Sequence, residues 1–149
     1  MEVAFFRSHA LTKGLTSAEM ERLSTLVTTT PFADGDRLCV EGAAAPGLYL
    51  IRVGKVRVVK KGTGKSERTM ARFEAPTVLG ELELITGRAC FASVVAESAV
   101  EAFLLSPEAF DRLVNDGDSV ASKMTRNIAR VVIDRLAETS SKLVSLLNQ

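Results

Sequence analysis

Residues 28 to 106 consist almost entirely of short β-rich segments, and this pattern restricts the fold more than any other feature of the sequence. Each segment is rich in Val, Ile, Thr, Tyr or Phe and is closed by Gly, Asp or Pro. The segments are Thr28–Phe32, Arg37–Val40, Leu48–Val53, Lys55–Lys60, Glu67–Phe73, Phe91–Glu97 and Val100–Leu105. Strands at spacings of about ten residues predict a sandwich or a jelly-roll barrel.

Helical patterns flank the β region on both sides. Apolar residues recur at helical spacing over Leu15–Val27, and Thr16 and Glu19 form a T-x-x-E capping box at its start. Pro107 begins a short helix that ends at Asn115-Asp116-Gly117. We therefore predict an α+β, mainly β fold in a single domain of residues 1–149. Its parts are an N-terminal helical segment (1–27), a β-roll (28–106) and a C-terminal helix pair (107–149).

The last helix, predicted over Ser119–Leu147, contains neither Gly nor Pro. At 1.5 Å per residue it is roughly 43 Å long, which exceeds the flank of so small a barrel. Its apolar residues are Val120, Met124, Ile128, Val131, Val132, Leu136, Leu143 and Leu147. Because part of this stripe needs a further partner, we predict a homodimer through helix 119–147, with the closest pairing from Met124 to Leu136.

Composition excludes several classes of protein. With 46% apolar and 25% charged residues, the chain is not intrinsically disordered. A net charge of +1 gives no overall basic field for nucleic acid or an anionic membrane. Neither a membrane span nor an N-terminal signal segment is evident, so we expect a cytoplasmic protein. One His and two Cys are too few for most metal centres, and we predict no metal and no cofactor.

Two sequence motifs occur in order within the β region. The first joins Glu41-Gly42, Gly47–Ile51 and Gly54–Val56, as E-G-x5-L-Y-x-I-x2-G-x-V. The second is Leu79–Ile85, L-G-E-L-E-L-I, which extends into Ala92–Ala96. Together they resemble the motifs of the cyclic nucleotide-binding domain family, and the resemblance covers nearly the whole chain. The second motif is similar to the family's phosphate-binding cassette.

The resemblance implies a regulatory sensor domain and not an enzyme. Its ligand would be cAMP, cGMP or a related small anion, and its C-terminal helix would transmit binding to a downstream protein whose identity the sequence does not give. In the family this helix closes over the base, which brings Asp134 or Arg135 near it. No helix-turn-helix segment follows the long helix in this sequence, so we expect no direct DNA binding.

The cassette supplies most of the predicted ligand-binding residues. Gly80 lets the backbone approach the ligand, and the start of the short helix favours an anion. The resemblance implies that the Glu81 carboxylate accepts a hydrogen bond from a ribose hydroxyl; otherwise Glu81 is a simple acid at a helix start. The predicted set is Gly80, Glu81, Leu82, Arg88, Cys90, Phe91, Ala92 and Arg135.

One position departs from the family pattern. The family has an arginine four residues before the valine that corresponds to Val94, and that arginine neutralises the cyclic phosphate; this chain has Cys90 there. Arg88 could replace it or could be a solvated loop residue. The alternative function is therefore a degenerate fold without a nucleotide ligand, acting as a dimerisation or protein-interaction module.

Two further alternatives depend on single residues. A haem ligand from Cys90 or His9 competes with the simpler interpretation of Cys90 as a small strand residue, which we favour. A cupin-type enzyme would need several His ligands to hold its metal, and the chain has one His. The basic run Lys55, Arg57, Lys60 and Lys61 is interpreted as a solvated strand face without stacking aromatics.

Overall fold

The computed structural model describes residues 3–7, 9–64 and 66–148. Eight strands form two four-stranded antiparallel sheets. Sheet I has the order β1-β8-β3-β6 and sheet II the order β2-β7-β4-β5. The strands are β1 Thr28–Phe32, β2 Arg37–Cys39, β3 Leu48–Val53, β4 Lys55–Lys61, β5 Glu67–Glu74, β6 Thr77–Leu79, β7 Ser93–Ala96 and β8 Val100–Leu105.

Helices lie before, between and after the strands. They are α1 Val3–Arg7, a short 3-10 helix Ala10–Thr12, α2 Ser17–Leu26, α3 Glu81–Thr86, α4 Pro107–Asn115 and α5 Ser119–Leu147. The predicted capping box is present at the start of α2, where Thr16 and Glu19 satisfy each other's backbone N–H groups. These helices and sheets give an α+β, mainly β fold, as the sequence predicted.

The predicted strand bounds agree with the structure to within one residue except near the cassette. The strand predicted over Phe91–Glu97 is shorter, because Phe91 and Ala92 lie in a bend and β7 covers only Ser93–Ala96. Strand β6 and helix α1 were not predicted as separate elements. Strand β6 has only three residues between Pro76 and Gly80, too few to show a repeating pattern.

Sheet I lies between the helices and sheet II. On one face of β3, Leu48 and Leu50 pack against the helices, and on the other face Tyr49 and Ile51 pack against sheet II. All four residues are buried, so this strand is covered on both faces. Over Lys55–Val58, strand β4 alternates: Lys55 is exposed and Arg57 half-buried, whereas Val56 and Val58 are buried.

The first half of α5 is fixed to the N-terminal segment by polar contacts. The Asn127 side-chain amide donates to the carbonyl oxygens of Leu11 (2.7 Å) and Lys13 (2.9 Å). Glu19 of α2 accepts from Lys123 Nζ at 2.6 Å and from the Ser119 hydroxyl. These contacts place α5 so that its second half passes the cassette.

The predicted pairing segment of α5 is wrong in its first part. Met124 and Ile128 are buried in the chain's own core, packed with α2 and sheet I, so they are not available to a second copy. The exposed large apolar residues of α5 begin at Ile133 and continue to Leu147. The spacing of the apolar residues alone did not show which part of the helix packs against the barrel.

None of the helices in the described ranges is both long and apolar enough to cross a membrane.

Candidate ligand-binding site

A cavity of about 460 Å³ lies between sheet II, α3 and the middle of α5. Its walls come from β4 and β5, the segment 45–47, the cassette and α5. This volume is within the usual range for small-molecule sites. The deeper wall is apolar and includes Val58, Phe73, Leu79 and Val94, whereas α3 and α5 supply the charged groups.

Two glycines allow neighbouring backbone segments to pack closely at the base of the cavity. Gly80 has a φ of 85°, and a Cβ atom there would lie 2.2 Å from the carbonyl oxygen of Gly47. A Cβ atom at Gly47 would in turn lie 2.2 Å from the carbonyl oxygen of Leu105. Any other residue at either position would collide with backbone, so both motif glycines fix the path of the chain that turns into α3.

The start of α3 places Glu81 in the cavity wall opposite α5. Its carboxylate is buried and accepts a hydrogen bond from Arg135 Nη1 of α5 at 2.6 Å. Burial raises the pKa of Glu81, and the nearby Arg135 only partly offsets this effect. The cavity thus contains an ion pair that joins α3 to α5.

Arg135 is held by more than Glu81. Its Nη2 donates to the Val78 carbonyl oxygen at 2.8 Å and to the Thr77 hydroxyl at 3.2 Å. The guanidinium also lies 4.4 Å from the centre of the Phe73 ring, a cation–π contact. Arg135 therefore links α5 to β5, β6 and α3 at once.

Cys39 and Cys90 lie together in the cavity wall as free thiols. Burial, followed by the neighbouring Cys90 thiol, raises the pKa of Cys39 to about 12. A thiol with such a pKa is protonated at neutral pH and is a poor nucleophile. Cys90 itself is buried, as a small apolar residue would be.

A family model decides the classification of the chain. The model described as "Cyclic nucleotide-binding domain" matches residues 29–116, which is more than half of the sequence. The chain belongs to this family. The resemblance seen in the two sequence motifs is confirmed.

Three relatives show where such domains occur. Glutaminase 1 of Bradyrhizobium diazoefficiens is 26% identical over 133 residues, covering 89% of this chain and 21% of that protein. A cAMP-dependent protein kinase regulatory subunit of Mucor circinelloides is 25% identical over 128 residues, covering 86% of this chain and 30% of that protein. The solved structure of the Thermus thermophilus catabolite activator protein superposes with a TM-score of 0.77 at 26% identity, covering 92% and 62%. The chain spans less than a third of the first two relatives.

The structure brings seven of the eight predicted ligand residues of this cyclic nucleotide-binding domain to one cavity. They are Gly80, Glu81, Leu82, Cys90, Phe91, Ala92 and Arg135. Arg88 is exposed and lies outside the lining, so the structure does not show it in place of the family arginine. Of the two candidates on α5, Arg135 lines the cavity and Asp134 does not.

Sequence reasoning missed several residues of the cavity. Met70 and Phe73 come from β5 and Leu136 from α5; the sequence placed the first two in a β segment and the third in the dimer stripe, and assigned none of them to the site. Glu83 is buried and accepts a hydrogen bond from the Phe91 N–H at 3.4 Å. Glu83 lies within the second sequence motif, Leu79–Ile85, so the motif gave its location but not its burial.

His9 is engaged in structural hydrogen bonds outside this cavity. Its Nδ1 accepts from the Leu11 N–H at 3.1 Å, and its Nε2 lies 3.3 Å from the Thr77 carbonyl oxygen. Both ring nitrogens therefore have protein partners, which argues against the haem-ligand alternative for this residue. The part of the chain that the structure describes contains no group of three or more His, Cys, Asp and Glu side chains placed to hold a metal ion.

Proposed function

We propose that this domain is a small-molecule sensor whose ligand enters the cavity and repositions α5. The ion pair of Arg135 with Glu81 is the observation that carries the proposal, because it joins the ligand cavity to the helix that leaves the body of the domain. Family membership and the names of the relatives support cAMP or cGMP as the first ligands to test. We propose a regulatory role and no catalytic activity of its own.

The mechanism follows from the position of Arg135 on α5. Every described residue of the helix after Arg135 is exposed, so this side chain is the last anchor of α5 on the body. A ligand hydroxyl that donates to Glu81 would compete with Arg135 for the same carboxylate. Binding would then loosen or shift the remaining turns of α5, which a partner protein could detect.

Calorimetric titration with cAMP and with cGMP tests the proposal. Glu81→Gln should weaken binding by about 1–3 kcal/mol, because an amide accepts a hydroxyl bond less strongly than a carboxylate. Arg130→Ala on α5 is the control, since Arg130 forms a hydrogen bond with Asn127 and lies outside the cavity lining. Unchanged affinity in a folded Glu81→Gln variant would contradict the proposed role of Glu81.

Three observations favour a second candidate, an interaction module that binds no cyclic nucleotide. Cys90 occupies the position of the family arginine, Arg88 is outside the lining, and Glu81 is already paired with Arg135. A ligand at 100 times its dissociation constant stabilises a protein by about 2.7 kcal/mol. Absence of any thermal stabilisation by millimolar cyclic nucleotides would therefore support this candidate.

A homodimer through the exposed half of α5 is part of the proposal. The exposed apolar residues Ile133, Leu136, Leu143 and Leu147, with Ser140 between them, are spaced three and four residues apart. This spacing is typical of the seam between two paired helices. We also place the sensor in the cytoplasm, where two free thiols would stay reduced.

A further inference from the structure

The charged groups of the cavity give information about its ligand. The charged side chains of the lining are Glu81, Glu83 and Arg135, so its formal charge is negative. Arg135 already contacts Glu81, Thr77 and Val78. An entering anion would therefore meet two buried carboxylates and one cation that already makes three hydrogen bonds.

Two other cations, Lys60 and Arg88, lie near the cassette but outside the cavity lining. Lys60 donates to the Phe91 carbonyl oxygen, lies 5.5 Å from the centre of the Phe91 ring, and pairs with Glu41 at 3.7 Å. Neither Lys60 nor Arg88 belongs to the lining. At the position where the family places its arginine, Cys90 contributes an uncharged thiol.

The rim of the cavity is apolar and exposed. Met70, Leu82, Phe91 and Leu136 all belong to the lining, yet between 39% and 64% of each side chain remains accessible to water. Large apolar side chains grouped around a concave surface are typical of a site that buries apolar ligand surface. The raised pKa of Glu81 points the same way, because it shows that the cavity solvates negative charge poorly.

We infer that the ligand of this cavity is an uncharged, mainly apolar small molecule with a hydrogen-bond donor for Glu81 or Glu83, and not a phosphate anion. This inference rests on one part of the proposed function, namely that the ligand binds in this cavity. It replaces the anionic ligand that the sequence suggested, and it leaves the role of α5 unchanged.

Two fluorescent probes of matched shape test the charge preference. N-phenyl-1-naphthylamine is neutral, and 8-anilino-1-naphthalenesulfonate has the same aromatic body with one sulfonate added. Tyr49 lines the cavity, is the single tyrosine of the chain, and has no tryptophan beside it to interfere. Quenching of Tyr49 emission by either probe therefore reports binding near Tyr49, on the side of the domain that holds the cavity.

We expect the neutral probe to bind at least about tenfold more tightly than the sulfonate, a difference of about 1.4 kcal/mol. Two variants should reduce the difference. Glu83→Gln removes a negative charge and keeps an acceptor for the Phe91 N–H, and Cys90→Arg adds a cation to the wall. Each should raise the affinity for the sulfonate about tenfold relative to the affinity for the neutral probe. Cys90→Met controls for the larger side chain.

The outcomes separate the inference from the proposed function. Equal or tighter binding of the sulfonate would overturn the inference. Displacement of the neutral probe by micromolar cAMP would also overturn it, but this displacement would at the same time support the proposed function. If neither probe quenches Tyr49, the inference fails; if cyclic nucleotides also give no binding heat, the cavity is not a ligand site and the proposed function fails too.

Discussion

At the scale of single residues, Gly80 has the most restricted position in the site. Its positive φ strains any other residue, and the Gly47 carbonyl oxygen leaves no space for a Cβ atom. We expect Gly80→Ala to lower the free energy of unfolding by about 3 kcal/mol or more, because backbone must move to accept it. Urea denaturation measures the loss.

Gly87 is a matched control on the other end of α3. Its φ is 72°, so alanine there meets the same type of backbone strain, but no atom lies within 4 Å of the added Cβ. Gly87→Ala should therefore cost only about 1–2 kcal/mol. Equal losses at the two positions would show that close approach to Gly47 is not what fixes Gly80.

Glu19 links stability to pH at the contact of α2 with α5. Hydrogen bonds from Lys123, Ser119 and the Thr16 N–H lower the pKa of Glu19 from its ordinary 4.5 to about 2. Because the folded-state pKa is the lower one, these bonds stabilise the fold above pH 4.5, and the contribution is lost as the pH falls towards 2. Glu19→Gln should cost about 2 kcal/mol at pH 7 and about half as much at pH 3, where part of the contribution is already lost.

Denaturation of wild type and Glu19→Gln at the two pH values checks this prediction. Gln at the third helical position can still reach the Thr16 N–H, so the capping box is largely preserved in the variant. A loss that is the same at pH 3 and pH 7 would mean that the charge of Glu19 contributes nothing.

At the scale of elements, the two halves of α5 differ in what they contact. Met124 is completely buried in the core, whereas 56% of Leu143 is exposed. We expect Met124→Ala to lower the free energy of unfolding by about 2–5 kcal/mol. Leu143→Ala, measured below the concentration at which the chain associates, should change it by less than about 0.5 kcal/mol. Similar losses would contradict the division of the helix.

The sequence predicted elements well where local chemistry sets their ends. Thr28–Phe32, Leu48–Val53 and Val100–Leu105 have the predicted bounds, and so does α5 from Ser119 to Leu147. Strand β6 was missed because three residues show no period, and its position depends on pairing with β3, a long-range contact. The first half of α5 was predicted to pair with a second copy of the chain. This was wrong because amphipathic spacing shows that one side of a helix is covered but not which surface covers it.

Local sequence located the site as far as the cassette extends, and beyond it the family resemblance added Arg135, which lines the cavity. Gly80, Glu81 and their neighbours are local in sequence, so a motif locates them. Phe73 and Arg135 meet across 62 residues through the path of α5 over sheet II, and no local pattern records that meeting. The pairing of Glu81 with Arg135 likewise exists only in the folded chain.

At the scale of the whole molecule, most of the exposed half of α5 continues beyond Arg135, the last anchor of the helix on the body. From Ile133 to Leu147 the helix rises about 21 Å, and its apolar residues face water. A second copy crossing it about a two-fold axis would cover both stripes with the same residues, since a head-to-tail contact would not close with two subunits. This geometry leads to the prediction of a homodimer.

Sedimentation equilibrium on the chain of 149 residues tests the homodimer, with a variant that carries both Leu143→Asp and Leu147→Asp. We expect the parent to be a dimer and the variant a monomer, because two carboxylates on each helix would be buried without partners in the seam. Val114→Asp is the control, since Val114 is 50% exposed on α4, away from the stripe. This control should dimerise as the parent does. A monomeric parent, or a double variant that associates as tightly as the parent, would exclude the second half of α5 as the interface.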